Sequence, residues 1–378
     1  MLINHEIYKF QDINKLKITH KQILDFVSNL DKNIFSITQK AYSFKNKEIY
    51  VIKAGKGKTK IIMWSQMHGN EPVSTMALID FMNFLQKDKN ISKNFLQNCT
   101  FYFIPMLNPD GAEKFTRRNA QNIDINRDAI KLVSPEAQLL NDIILKLKPD
   151  FAFNLHDQER YYGISNSKHP TAMSFLAPAF NNQKQIDKHR QKSMQTIAFI
   201  VNSLKQKYQL PFAKYNDNFM PIAFGDNIQK KGISTILFEG GYIINDNQRQ
   251  KTRTIYFDAI TNALETISNI KSNPYTIEDY QAIPQNIKLK FSDIILKNIT
   301  IEKNKKKYTT DISIIRDIRD NERFTDFEKK YIFWDIGDLS DKQAFRIIDC
   351  KGKTIKDKHN KIQRLKKANF LIQYCKIN

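Results

Sequence analysis

The chain predicts an α/β fold with a largely parallel or mixed sheet, followed by a small β-rich appendage. Three observations carry this. Strand-type and helix-type signals alternate over the first ~270 residues. After Ile270 the pattern gives way to short β-like runs. The 378 residues, 41% hydrophobic, suffice for one large core and a smaller one.

The strands are short apolar runs of the kind that buried strands show: Tyr50–Ala54, Ile61–Gln66, Thr100–Pro105, Phe151–Leu155 and Thr235–Phe238. Between them lie amphipathic segments. Pro72 stands where a first helical residue would, and Val73, Met76, Ala77, Phe81, Phe84 and Leu85 follow at helical spacing. Ser134-Pro135-Glu136 reads as an N-cap with Pro in the first turn, ahead of an apolar face of Leu139, Leu140, Ile143, Ile144 and Leu147. Residues 182–207 and 253–269 supply two more helices. Ser272-Asn273-Pro274 and Ala282-Ile283-Pro284 are breakers. Beyond them Ile287–Phe291, Ile294–Ile301, Tyr308–Ile315 and Phe370–Ile372 are strand-like. The expected organisation is an N-terminal segment (1–44), a large α/β domain (45–271) and a small β-rich C-terminal domain (285–378).

The net charge of +21 raises the question of nucleic acid. Its distribution argues against one: residues 275–378 hold 23 Lys+Arg against 15 Asp+Glu, so the excess scales with length. Lys351–Lys367, with eight basic residues and only Asp357 against them, reads as a solvated face. No apolar run approaches the roughly 20 residues of a membrane helix. The start, MLINHEIYKF, lacks the apolar stretch of a secretory signal. Cys99, Cys350 and Cys375 are an odd, widely spaced set, as expected of a reducing compartment. The expectation is a cytoplasmic protein with neither nucleic acid nor membrane as partner.

Four stretches carry chemistry. His68 and Glu71, three positions apart on a turn leaving a strand, can bring an imidazole and a carboxylate to one cation. His156, ending the run Phe151–Leu155, is the best third ligand, because such strand ends share one edge of an open α/β sheet. Three ligands leave a position open for water, as catalytic zinc sites do. His5, His20, His169, His189 and His359 have no comparable setting and are expected at the surface. Glu239 ends the run Thr235–Phe238 at the same edge, where a half-desolvated carboxylate can move a proton. Arg117 and Arg118 open a polar loop that ends at Asp124-Ile125-Asn126-Arg127. One arginine near a metal can steady an oxyanion, and another, with an asparagine, can grip a carboxylate.

His68-Gly69-Asn70-Glu71-Pro72, Asn108-Pro109-Asp110-Gly111, Arg117 with Asp124-Ile125-Asn126-Arg127, Asn154-Leu155-His156 and Phe238-Glu239 resemble, in order, the motifs of the zinc carboxypeptidases of the M14 (carboxypeptidase A-like) family. The resemblance covers about residues 45–270. It implies a mixed, twisted, eight-stranded sheet between helices and one Zn2+ per chain on His68, Glu71 and His156. Glu239 would be general base and acid, and Arg117, rather than Arg118, would polarise the scissile carbonyl. Asn126 and Arg127 would clamp the terminal carboxylate of a peptide substrate.

Two departures stand out. Asp128 replaces the second Asn of the family's Asn-Arg-Asn run, and no tyrosine falls squarely where the family has its mobile active-site tyrosine. Tyr215 and Tyr242 are the candidates for that role. Asp226, in Phe224-Gly225-Asp226-Asn227, can line the specificity pocket and favour a basic terminal residue. The leading expectation is a metallocarboxypeptidase that uses zinc-activated water. A deacylase of N-acyl amino acids, similar to aspartoacylases and succinylglutamate desuccinylases, is the alternative enzyme. A catalytically retired peptide-binding protein is the alternative of another class.

Overall fold

The computed structural model describes residues 3–268, 273–316 and 331–356. The chain forms two units, Met1–Glu159 with Thr171–Asn286, and Arg160–Pro170 with Ile287–Asn378.

The first unit is built on eight strands: β1 (Phe35–Tyr42), β2 (Glu48–Gly55), β3 (Thr59–Ser65), β4 (Cys99–Ile104), β5 (Phe151–Asp157), β6 (Met173–Leu176), β7 (Phe212–Lys214) and β8 (Ser234–Gly240). Their order is β1-β2-β4-β3-β5-β8-β6-β7. The middle four, β4, β3, β5 and β8, run parallel. β2 joins β4 antiparallel on one side, and β6 joins β8 antiparallel on the other. The sheet is therefore mixed.

Strand alternation divides the core between the two faces. On β3, Ile61 and Met63 pack with Phe81, Phe84, Ile197 and Ile260, from the helices Pro72–Lys87, Lys188–Lys207 and Gln250–Ser268. Ile62 and Trp64 pack on the other face with Leu140 and Ile144 of the helix Pro135–Leu147 and Ile228 of the helix Phe224–Lys230. On β5, Phe153 and Leu155 belong to the first core. Alternation then turns Asn154 and His156 to the second face, and register pairs His156 with Glu239 on β8.

Some expected elements differ in extent. The helix expected over residues 182–207 begins at Lys188, because Asp187 accepts the Arg190 N–H at 2.8 Å as its N-cap. Residues just before it are held instead by the Arg190 guanidinium, which donates to the carbonyls of Lys184 (2.6 Å) and Gln185 (3.2 Å). β1, β6 and β7 went unread in the sequence: β1 is a largely exposed edge, and β6 and β7 have four and three residues.

His5 and His20, expected at the surface, are buried. Pairing makes this possible. His5 Nε2 lies 2.6 Å from Asp80 Oδ2 and Nδ1 lies 3.0 Å from Thr254 Oγ1, while His20 Nε2 donates to the Glu48 carbonyl at 2.8 Å. Asp80 also meets Arg253 through two bonds of 2.6 and 2.5 Å, with both side chains 0% exposed. Phe10 N–H donates to Asp80, and Arg253 donates to the carbonyls of Phe10 and Ile13. The ion pair thus pins the N-terminal segment to two core helices. Arg253→Leu leaves Asp80 without its guanidinium partner, and denaturant unfolding should show a loss of about 3–5 kcal/mol.

Among the described residues, the second unit is a five-stranded sheet of order β11-β10-β9-β12, with β13 pairing β9. Its strands are β9 (Phe291–Lys303), β10 (Lys306–Arg316), β11 (Tyr331–Gly337), β12 (Gln343–Asp349) and β13 (Thr354–Lys356). Asn304 and Lys305, both left-handed, close the β9–β10 hairpin. Its core is Leu296, Ile299, Ile301, Ile312, Ile314 and Cys350. Ile287–Phe291, expected as a strand, makes only an isolated bridge from Ile287 to Gly163 before β9 starts. Phe370–Ile372, Cys375 and His359 lie outside the described residues. Among the described residues, no helix is long and apolar enough to cross a membrane.

Candidate metal centre and active site

The carboxyl ends of β3, β5 and β8 meet at one edge because these strands are parallel neighbours. His68 and Glu71 follow β3, His156 lies near the end of β5, and Glu239 lies near the end of β8. The turn after β3 requires a close backbone approach. A Cβ on Gly69 would sit 2.0 Å from the Gly111 carbonyl carbon, so the His-Gly-Asn-Glu and Asn-Pro-Asp-Gly stretches pack backbone to backbone. Asn108 fastens the second stretch: Oδ1 accepts Gly111 N–H at 2.8 Å, and Nδ2 donates to Met67 O at 3.1 Å.

Ligand atoms of His68, Glu71 and His156 all lie within 4.8 Å of one another, and all three residues are buried. The two Nδ1 atoms converge on one carboxylate: His68 Nδ1 is 2.8 Å from Glu71 Oε1, and His156 Nδ1 is 2.7 Å from Oε2. Glu71 occupies the N-cap position of the helix Pro72–Lys87 without capping it. Asp157 caps that helix instead, accepting Val73 N–H at 2.6 Å and Ser74 N–H at 3.0 Å. The Glu71 carboxylate is thereby left for the centre.

Asp124 Oδ1 lies 3.1 Å from His68 Nε2. An acceptor there puts the proton on Nε2 and turns the Nδ1 lone pair inward. His156 Nε2 is buried with no hydrogen-bond partner. Burial, with His68 and Arg117 nearby, lowers the His156 pKa and favours the neutral, ligating imidazole. Burial alone would raise the Glu71 pKa, but the two histidines hold it well below the usual carboxylate range. Two neutral-capable nitrogens and an ionised carboxylate, one imidazole oriented by a carboxylate behind it, fit a zinc ion.

Arg117 reaches the centre. Its Nη1 lies 3.2 Å from His68 Nδ1 and 3.4 Å from Glu71 Oε1, and its Nε donates to Asp124 Oδ2 at 3.0 Å. Arg118 turns to the loop instead, donating to the Asn122 carbonyl at 3.1 Å. Glu239 is the Cα partner of His156 across β5–β8. Burial first, then the charges of Glu71 and Asp157, push its pKa well above the ordinary value, with Arg117 and Arg249 opposing.

Asn126 Oδ1 accepts Phe224 N–H at 3.0 Å, which fixes the amide and leaves Nδ2 to donate elsewhere. Arg127, exposed, donates from Nη1 to the Asn126 carbonyl at 2.9 Å. Asp226 is buried, and its Oδ1 accepts Met220 N–H at 2.9 Å. Burial pushes its carboxyl up to about 6. Tyr215 OH donates to Gln158 Oε1 at 2.8 Å, and Tyr242 OH lies 3.5 Å from Asn247 Oδ1. Asp128 has a supporting part: it accepts Val133 N–H, Ser134 N–H and Ser134 Oγ–H at 2.8–3.0 Å, bracing the start of the helix Pro135–Leu147. Sequence reasoning missed Asp157, Gln158 and Arg249. The local signal was that Asp157 and Gln158 directly follow His156.

Residues 20–195 match the zinc carboxypeptidase family, peptidase M14. Carboxypeptidase 2 of Trichophyton rubrum is 29% identical over 100 residues, 26% of this chain and 19% of that protein. The match thus spans about a fifth of the relative's length. The metallo-carboxypeptidase of Burkholderia cenocepacia shares the fold at a TM-score of 0.52, with 15% identity over 66% of this chain and 69% of that one. Bovine thrombin-activatable fibrinolysis inhibitor, solved with tick carboxypeptidase inhibitor, superposes at 0.55, with 13% identity over 70% of this chain and 99% of that one. The matched segment, just under half of the chain, carries the two histidines and the glutamate that converge at the sheet's edge, and over it the chain is similar to the zinc carboxypeptidase (M14) family.

Proposed function

We propose that the protein is a zinc metallocarboxypeptidase that releases C-terminal residues from peptides. The observation that carries this reading is the convergence of His68 Nδ1 and His156 Nδ1 on the Glu71 carboxylate, one strand away from Glu239. His68, Glu71 and His156 would hold one zinc ion. Bound there, zinc would supply Lewis-acid polarisation, water of lowered pKa and a charge offsetting the crowded carboxylates.

The chain's own groups do the rest. Glu239 accepts a proton from the attacking water and returns it to the departing amine. Arg117 donates to the oxyanion as it forms. Asp124 holds both His68 and Arg117, so it orients a ligand and an oxyanion donor together. Asn126 Nδ2 and the Arg127 guanidinium bind the terminal carboxylate of the substrate. Asp226 is the acid that would favour a basic terminal residue. Tyr215 is the phenol offered for the place of the family's mobile tyrosine, parked on Gln158.

Arg127→Met should raise KM by about 10–100-fold, the worth of a charged hydrogen bond, with a smaller change in kcat. The parent enzyme should cleave peptides with a free C-terminus and spare their C-terminal amides, as mass spectrometry of the products will show. Cleavage of N-acyl amino acids with no turnover of peptides would replace this reading with the deacylase.

A further inference from the structure

Arg249 lies ten residues beyond Glu239 and gathers three backbone carbonyls with one guanidinium nitrogen. Its Nη2 donates to Gln158 O at 3.1 Å, to Gly240 O at 2.8 Å and to Gly241 O. Gln158 follows β5 two residues after His156, and Gly240 and Gly241 directly follow Glu239. Gln158 N–H closes the same junction by donating to Gly240 O at 2.8 Å. Carbonyl dipoles aimed at one point repel unless a cation sits among them.

The surroundings leave little slack. Gly241 N–H donates to Ala172 O at 2.9 Å, and a Cβ on Gly241 would fall 1.9 Å from Thr171 O. Arg249 itself is left-handed, with φ of 53°, a conformation that a non-glycine residue keeps only where the surroundings demand it. Its N–H donates to Asp246 O at 2.9 Å, and the Asp246 carboxylate accepts Thr252 N–H at 2.9 Å and Thr252 Oγ–H at 3.2 Å.

We propose that Arg249 is a positioning residue: it staples the ends of β5 and β8 and so fixes the separation between the ligand His156 and the base Glu239. The inference rests on the proposed roles of those two residues. Arg249 touches neither of them through its side-chain hydrogen bonds and acts through the strand ends.

The test uses the full chain loaded with zinc, with Arg249→Met, Arg249→Ala, Arg249→Lys and Glu239→Gln measured side by side. Arg249→Met should lower kcat by about 10–100-fold, the effect of a small misplacement of a reacting group, with KM and zinc content near the parent's. Arg249→Lys should recover part of the lost kcat, since an ammonium can also bind several carbonyls. Added guanidinium ion should restore part of the kcat of Arg249→Ala. Should Arg249→Met fail to fold, the Lys variant and the guanidinium rescue decide. Parent-like kcat in Arg249→Met, or no recovery in Arg249→Lys together with no guanidinium rescue of Arg249→Ala, beside an inactive Glu239→Gln overturns the staple alone. So does a kcat loss that follows zinc loss. Full turnover in Glu239→Gln overturns the catalytic reading beneath it.

Discussion

Glu239→Gln should lower kcat by about 10²–10⁴-fold, the usual contribution of a positioned acid–base group. Glutamine keeps the shape and loses the proton-accepting oxygen. KM should change little, because in the proposed reading Asn126 and Arg127, and not Glu239, hold the terminal carboxylate. Zinc content should also hold, since Glu239 is outside the ligand cluster of His68, Glu71 and His156. Steady-state kinetics beside a zinc assay of the same sample separates these quantities. Parent-like turnover would mean that another group moves the proton, and the mechanism would have to be rebuilt.

His156→Ala should act one stage earlier. With one of the three proposed ligands gone, zinc after dialysis should fall from about one equivalent per chain to near zero, and hydrolysis should vanish with it. The fold should survive, because His156 sits at a strand end and its neighbours Phe153 and Leu155 anchor β5 in the core. Asp124→Asn offers a graded comparison: it keeps all three ligands and loosens the one behind which Asp124 stands. Removing a carboxylate that orients a metal-binding histidine typically weakens metal binding about 10–100-fold. A His156→Ala protein that retained zinc and activity would place the metal somewhere other than the three converging side chains.

Much of the fold class was legible because buried parallel strands announce themselves. Ile61–Gln66, Phe151–Leu155 and Thr235–Phe238 are short, mostly apolar runs, and they correspond to β3, β5 and β8. Strands that depend on neighbours were not legible. β6 and β7 are too short to show a period, and β11 and β12 mix exposed and half-buried positions. His5 was misread for a related reason: its partners, Asp80 and Thr254, are 75 and 249 residues away.

The sequence by itself determined which donors exist and on which side of each strand they fall, since a period of two requires no partner to be known. His156 and Asn154 must share a face, and Asp157 must take the other. The tertiary structure alone decided what each donor is free to do. Strand order β3-β5-β8 brings Asp157 to the helix that follows Glu71, and that cap releases the Glu71 carboxylate toward the two histidines. Arg249 likewise becomes a staple only when β5 and β8 lie side by side. Hydrogen bonding is a property of pairs, and these pairs are made by chain crossovers that local pattern does not encode.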